Sequence, residues 1–558
     1  MSAAEPQFKT RGIWADPPAF TNAANVDRMI SRCQQAGLNL LIPNVMWRQC
    51  VYFKSPHFAG QVKADDTFDP LAYMVNKAHA AGLRIQAWCC VYFEGTAEGS
   101  DAPLHPAWGV RSFAGRPFQQ NFLSPANPKV NPYLLAVMKD LLAYDIDGIH
   151  LDYIRYPCTA FDYSDTARSA FKAARGFDPE DLLDHVERII PPAEESFPVR
   201  VLEPSAHLED VSQTTAIERT LDQAGLGFGF VSESPERINQ LRAPGLLIIS
   251  SYTNVPPAMA EALENYVARG GNLLWTPVPS RVLTASPAIQ KLTGITSATA
   301  LGERRILLTL ADDHPLAQAL TREPFRDDSV FDTDPGSARV IARFASGQPA
   351  VLMNQIGKGR VVTLGFHLMK SKSPVVATLA REMVDWFKTD AGAGLADPLA
   401  AKRAEWIAWR DDRVTQLVRD LHTAAREKNP RLIITSSGGP SPFEFYACYR
   451  HASRWLREGL NEEVYPMDYT LNPIELSELL EVQSASAPPG AFGRIVPGIE
   501  IFAWHTSENG RRGLIPIDPA IVDQELQVVQ QQGCPGFVLY SYACMTDDTI
   551  AVVRKFNH

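Results

Sequence analysis

The densest run of chemistry-bearing side chains is Asp147-Gly148-Ile149-His150-Leu151-Asp152-Tyr153-Ile154-Arg155-Tyr156-Pro157. Its apolar centre reads as a strand, and side chains alternate along a strand. His150, Asp152 and Ile154 then share one side, and Ile149, Leu151 and Tyr153 the other. Asp152 falls near the C-terminal end, with His150, Arg155 and Tyr156 close by in sequence. A carboxylate in that company suits sugar chemistry, with His150 and Arg155 near enough to hold it ionised. The plain alternative is a strand-end Asp bonded to Arg155. Glycosidic hydrolysis normally uses two carboxyl groups. Asp468, after Val464-Tyr465-Pro466-Met467, and Glu500, inside Pro497 to Trp504, are the candidate partners of Asp152. Glu94, after the apolar run Leu83 to Phe93, is a weaker one. Each reads equally well as a structural or a substrate-binding group.

Flat rings near the ends of apolar runs can stack on sugar faces: Trp14, Trp47, Tyr52, Trp88, Trp504, Tyr540 and Tyr542. Trp88, Trp504 and Tyr542 are expected to line a cleft. Asp16, Asn44 and Arg48 can hydrogen-bond sugar hydroxyls. Core packing and satisfied loop contacts are the ordinary uses of the same residues.

Such groups need strands that end together. Helix–Gly–strand repetition supplies them, and it is the signature of parallel βα units. Arg11 to Ala15, Leu38 to Val45, Leu83 to Phe93 and Asp147 to Ile154 read as strands one to four, with helices over Val26 to Ala36, Leu71 to Ala81 and Tyr133 to Ala143. Four more strands follow later, at Arg431 to Thr435, Val464 to Tyr469, Ile495 to Trp504 and Gly536 to Tyr542, after a helix over Trp406 to Arg426. The pattern predicts a (β/α)₈ barrel, whose active sites lie at the strands' C-terminal face. The barrel is interrupted after strand four. Residues 1–195 hold its first half, 196–395 an inserted α/β domain, and 396–558 its second half.

Asn121 to Pro128, Tyr144 to Pro157, Phe161 to Ser164, Trp406 to Arg410, Trp455 to Gly459 and Pro466 to Tyr469 resemble segments of the YngK-type glycoside-hydrolase-like barrels, glycosyl-hydrolase-like family ten. The resemblance implies a TIM barrel that hydrolyses glycosidic bonds of bacterial wall or exported polysaccharide. Asp152, near the end of strand four, is the expected nucleophile, with retention preferred over inversion. Silent carbohydrate binding and a non-glycosidic activity such as deacetylation are the rival functions. The insertion is similar to flavodoxin-like, class I glutamine-amidotransferase-like domains. That chemistry needs a cysteine thiolate, and 196–395 contains no cysteine. Packing, carbohydrate contact or homo-oligomerisation is the role left for it. Gly357-Lys358-Gly359 lacks P-loop spacing and reads as a hairpin turn.

The composition sets outer limits. A formal charge of −10 argues against a dedicated nucleic-acid binder, which normally shows a basic face. No apolar run is long enough for a membrane span. Eight cysteines without CxxC spacing argue against a zinc ribbon, and the scattered histidines form no HExxH. No metal or cofactor is expected. Met1 to Arg11 has no apolar signal core. A secreted or periplasmic location would require a removed signal, and a cytoplasmic one would not.

Overall fold

The computed structural model describes residues 8–557 apart from 97–101, 113–114, 119, 158–160, 183–196, 204–207, 251–254, 279, 307, 312–313, 317–324, 369–374, 391–399, 440–447 and 507–511. The chain divides into two compact units. One comprises Met1–Val110, Gln119–Pro157 and Arg410–His558, and the other Arg111–Phe118 and Cys158–Trp409.

Eight strands build the first unit: β1 Thr10–Ala15, β2 Leu40–Trp47, β3 Arg84–Cys90, β4 Gly148–Asp152, β5 Ile433–Gly438, β6 Glu463–Pro466, β7 Gly498–Glu500 and β8 Gly536–Tyr540. All are parallel, in the order β6-β5-β4-β3-β2-β1-β8-β7. Parallel bridges Val464–Ile495 and Met467–Gly498 span the remaining gap between β6 and β7. There Val496 N donates to Val464 O and Asp468 N to Gly498 O, both at 3.0 Å. The result is a nearly closed eight-stranded parallel barrel, in which β4 pairs with β5 across a long stretch of intervening sequence.

The connecting helices follow from local sequence. Ala23–Ala36 places Val26, Met29, Ile30 and Cys33 on its buried face, the three-and-four spacing of an amphipathic helix. Asn22 caps it by accepting from Asn25 N, and Gly37 ends it at φ 69°, where only glycine sits without steric cost. Asp69 and Pro70 start Pro70–Ala80 in the same way. Among the described residues no helix is long and apolar enough to cross a membrane.

Most sequence-based strand ends shift, and three matter for the site. Strand four stops at Asp152, because Tyr153 turns into the left-handed region at φ 49°. Strand five runs to Gly438, past the expected Thr435. The run Ile495 to Trp504 is not one strand. β7 ends at Glu500, and Phe502–Thr506 instead pairs antiparallel with Arg512–Pro516.

The second unit contains a mixed sheet. Its parallel part has spatial order Gly229–Ser232, Val199–Glu203, Leu246–Ser250, Asn272–Thr276, Gly359–Leu364. That order, 2-1-3-4-5 in sequence, is the flavodoxin-like one. Pro349–Ile356 runs antiparallel to Gly359–Leu364 through a Gly357-Lys358 turn. The unit begins soon after β4 because Phe171, on the helix Asp165–Arg175, packs its ring against Trp406 at 4.8 Å and Trp409 at 5.5 Å.

Candidate active site

At the C-terminal ends of the barrel strands lies a cavity of about 210 Å³. β1 supplies Trp14, β2 Asn44 and Trp47, β3 Trp88, β4 Asp152, β5 Ser437 and β8 Tyr540. Asp16, Tyr153, Met467 and Tyr469 follow strands one, four and six. β7 contributes space. A Cβ at Gly498 would stand 2.8 Å from both Pro466 O and the Trp14 ring, so glycine lets that indole lie across the barrel beneath the cavity.

Asp152 is nearly buried, at 7% exposure, and meets three donors. Ser437 Oγ donates to Oδ1 at 2.5 Å, Tyr153 N to Oδ1 at 2.7 Å, and Trp88 Nε1 to Oδ2 at 3.2 Å. Both carboxyl oxygens thus act as acceptors. The left-handed turn at Tyr153 carries its ring onto the cavity side, although strict alternation would place it opposite Asp152. Phe93 stacks on that ring at 4.8 Å. A bulky residue held there stores on the order of 1–3 kcal/mol of strain, offset by these contacts.

Asp16 is half-buried, and its side chain does not cap the short helix Pro17–Phe20 that follows it. Burial raises its pKa, and the neighbouring hydroxyls of Tyr540 and Ser541 partly offset the rise. The rest of the wall is mainly aromatic. Tyr469 stacks on Tyr540 at 5.6 Å, and Trp14 and Trp88 meet Tyr540 edge-on at 6.2 and 6.3 Å. Cys90 is buried, with its thiol pushed well up by burial and by Asp152.

Trp14, Asp16, Asn44, Trp47, Trp88, Asp152 and Tyr540 therefore line one cavity, and the other singled-out residues do not. Asp468 turns into the protein, where its Oδ1 accepts from Gln483 Nε2 at 2.6 Å. Glu500 is half-buried, and burial together with Glu475 pushes its pKa up to about 7. Glu94 anchors a loop, accepting from Leu104 N at 2.7 Å and His105 N at 3.1 Å, with His105 Nδ1 at 2.7 Å. Tyr156 is fully buried edge-on to Tyr449. Tyr542 begins a short helix, half-buried near Cys33, Arg32 and Arg28. Trp504 stands exposed on the hairpin beyond β7.

His150 and Arg155 do not hold Asp152. Arg155 donates to the carbonyls of Tyr156 and Pro157, and its guanidinium lies over the rings of Phe122 and Tyr153. His150 is fully buried, which lowers its pKa to about 4, so it is neutral near pH 7. It belongs to a chain below the cavity. His150 Nδ1 lies 2.9 Å from Thr435 Oγ1, which donates to Gln86 Oε1. Gln86 Nε2 donates to Tyr465 OH, which donates to Glu463. Thr435 spends its proton on Gln86, so Nδ1 carries the imidazole hydrogen.

Ser437, Tyr153, Met467 and Tyr469 complete the site and were not singled out as site residues from sequence. The small polar run Thr435-Ser436-Ser437-Gly438 at a strand end was the available signal for Ser437.

Residues 9–181 match the family model described as Glycosyl hydrolase-like 10. The chain is also 23% identical over 145 residues to Glycosyl hydrolase YngK of Bacillus subtilis (strain 168), a match spanning 23% of this chain and 28% of that relative. Among solved structures, it is similar to the catalytic domain of a Paenibacillus polymyxa β-amylase at 10% identity and TM-score 0.39, covering 98% of this chain and 97% of that one. It is similar to the exo-β-1,4-mannosidase Op5Man5 of Opitutaceae bacterium strain TAV5 at 13% identity and TM-score 0.25, covering 71% and 100%. The matched residues 9–181 include Trp14, Asp16, Trp47, Trp88 and Asp152. Ser437, Tyr469 and Tyr540 come from beyond them.

Proposed function

We propose that the barrel is a glycoside hydrolase in which Asp152 is the nucleophile and Asp16 the acid/base. The observation that carries this is one aromatic-walled cavity holding two carboxyl groups in opposite surroundings. Asp152 meets three donors, and burial favours the protonated form of Asp16. Two carboxyl groups on one cavity are the pair that glycosidic hydrolysis uses. Asp16 would give its proton to the glycosidic oxygen as Asp152 attacks the anomeric carbon and the bond to the leaving group breaks. Water, deprotonated by Asp16, would then release the sugar from Asp152. Indole and phenol rings suit the apolar faces of pyranoses. Bacterial wall or exported polysaccharide is the substrate class we put forward, following the family resemblance.

The test is covalent trapping. Aryl 2-deoxy-2-fluoroglycosides of glucose, galactose and mannose are incubated with the full chain, and the labelled peptide is mapped by mass spectrometry. A sugar left on Asp152 supports the assignment. A label on Asp468 or Glu500 rejects it.

A further inference from the structure

The hairpin after β7 links the cavity to solvent through successive rings. Phe502 pairs with Pro516 and Trp504 with Leu514, so strand alternation puts these four on one face. Phe502 is buried and meets two cavity-lining rings edge-on, Tyr540 at 5.6 Å and Tyr469 at 5.9 Å. Trp504 meets Phe502 edge-on at 5.7 Å. Its own surface is 67% exposed, the highest value among the exposed large hydrophobic residues described. An indole left in water forgoes the stabilisation that burial would give. Here it extends an aromatic wall beyond the cavity.

We propose that Trp504 is a distal saccharide platform, and that the ligand is therefore an oligosaccharide chain running from the Asp152 cavity past Phe502 onto the hairpin. This rests on the carbohydrate reading of the cavity. The second exposed apolar side chain of the hairpin, Ile515, pairs with Ala503 and so lies on the opposite face. A single flat ring continuous with an aromatic cavity fits one pyranose face.

The experiment measures affinity of the full chain for cello-, manno- and chito-oligosaccharides from disaccharide to hexasaccharide, by calorimetry. Wild type is compared with Trp504→Ala and Trp504→Phe. The ring is exposed, so both variants should fold, and circular dichroism checks this. For a series that binds, the ratio of hexasaccharide to disaccharide affinity should fall about tenfold in Trp504→Ala and recover largely in Trp504→Phe. An unchanged ratio overturns the proposal, as does wild-type affinity that does not rise with length in any series. A concentration-dependent dimer that Trp504→Ala abolishes also overturns it, in favour of a second copy as occupant. Length-dependent binding without turnover in wild type would support the platform and sink the hydrolase.

Discussion

The ends of β4 and β6 both carry an aspartate followed by a turn, and they do opposite things. At β4, Asp152 stays on the cavity side, where Ser437, Trp88 and the Tyr153 amide meet it. At β6 the regular strand ends at Pro466. Asp468 N reaches across to Gly498 O, and the carboxyl turns inward to Gln483. One acid faces a cavity and the other secures a helix to the barrel. A carboxylate near a strand end is therefore a candidate only until its backbone turn is known, because one residue's shift exchanges inside for outside.

The contrast is broken most directly by neutralising both acids at nearly constant volume. Asp152→Asn should lower kcat on the order of 10⁴-fold or more, the scale seen when a nucleophile and its charge are lost together. Asp468→Asn keeps an acceptor for Gln483 and should stay within about threefold of wild type. Turnover of both folded variants on one substrate checks this, and the reverse ranking would transfer the nucleophile to β6. Asp16→Asn sharpens the comparison. As the acid/base it should cost on the order of 10²–10³-fold with a poor leaving group. The loss should be clearly smaller on an activated aryl glycoside, which needs little protonation. Equal losses on the two substrates would leave Asp16 as a binding group.

The sequence made the barrel legible because glycine-terminated helices alternating with apolar runs leave few arrangements for eight strands. Asp152 was legible for the same reason. Its partners were not. Period-two alternation assigned Tyr153 to the wrong side, since a single left-handed residue cancels the period. Closeness in sequence suggested His150 and Arg155 as the groups holding Asp152. The side chains that do so, Trp88 and Ser437, come from neighbouring strands. Asp16 read as a group that bonds sugar hydroxyls, not as an acid, because its hydrogen-bond partners Tyr540 and Ser541 lie at the far end of the chain.

Gly498 tests the geometry on the silent side of the barrel. Gly498→Ala brings a methyl group against the Trp14 ring and Pro466 O. Neither neighbour is the loose end of a flexible side chain, so the ring must shift toward the cavity. Overpacking of this kind costs about 1–3 kcal/mol. The expected outcome is a lowered Tm together with a raised KM. A lowered Tm with unchanged KM would show that the cavity floor tolerates the shift.

The smallest effect on turnover, and the clearest on stability, concerns the acids behind β7. Glu525, on the helix Pro519–Gln531, is 1% exposed, and both its carboxyl oxygens lack a hydrogen-bond partner. Burial, then Glu500 and Glu475, push its pKa up to about 9, and Glu500 itself is raised to about 7. The folded protein therefore holds protons that the unfolded chain releases near pH 4.5. Stability from these two groups is full below that pH. It is lost as pH rises, first through about 7 for Glu500 and then through about 9 for Glu525. Tm should accordingly fall between pH 5 and pH 9. Glu525→Gln mimics the protonated form, so it should matter little at pH 5 and raise Tm by a few degrees at pH 9, about 2–4 °C for each kcal/mol in a domain of 150–250 residues. The measurement is thermal unfolding of both proteins across that range. A variant whose Tm runs parallel to wild type at every pH would mean that the carboxyl finds solvent or a counter-charge in the folded state. The acids behind β7 would then behave like the hydrogen-bonded Asp468 beside them, rather than like isolated buried groups.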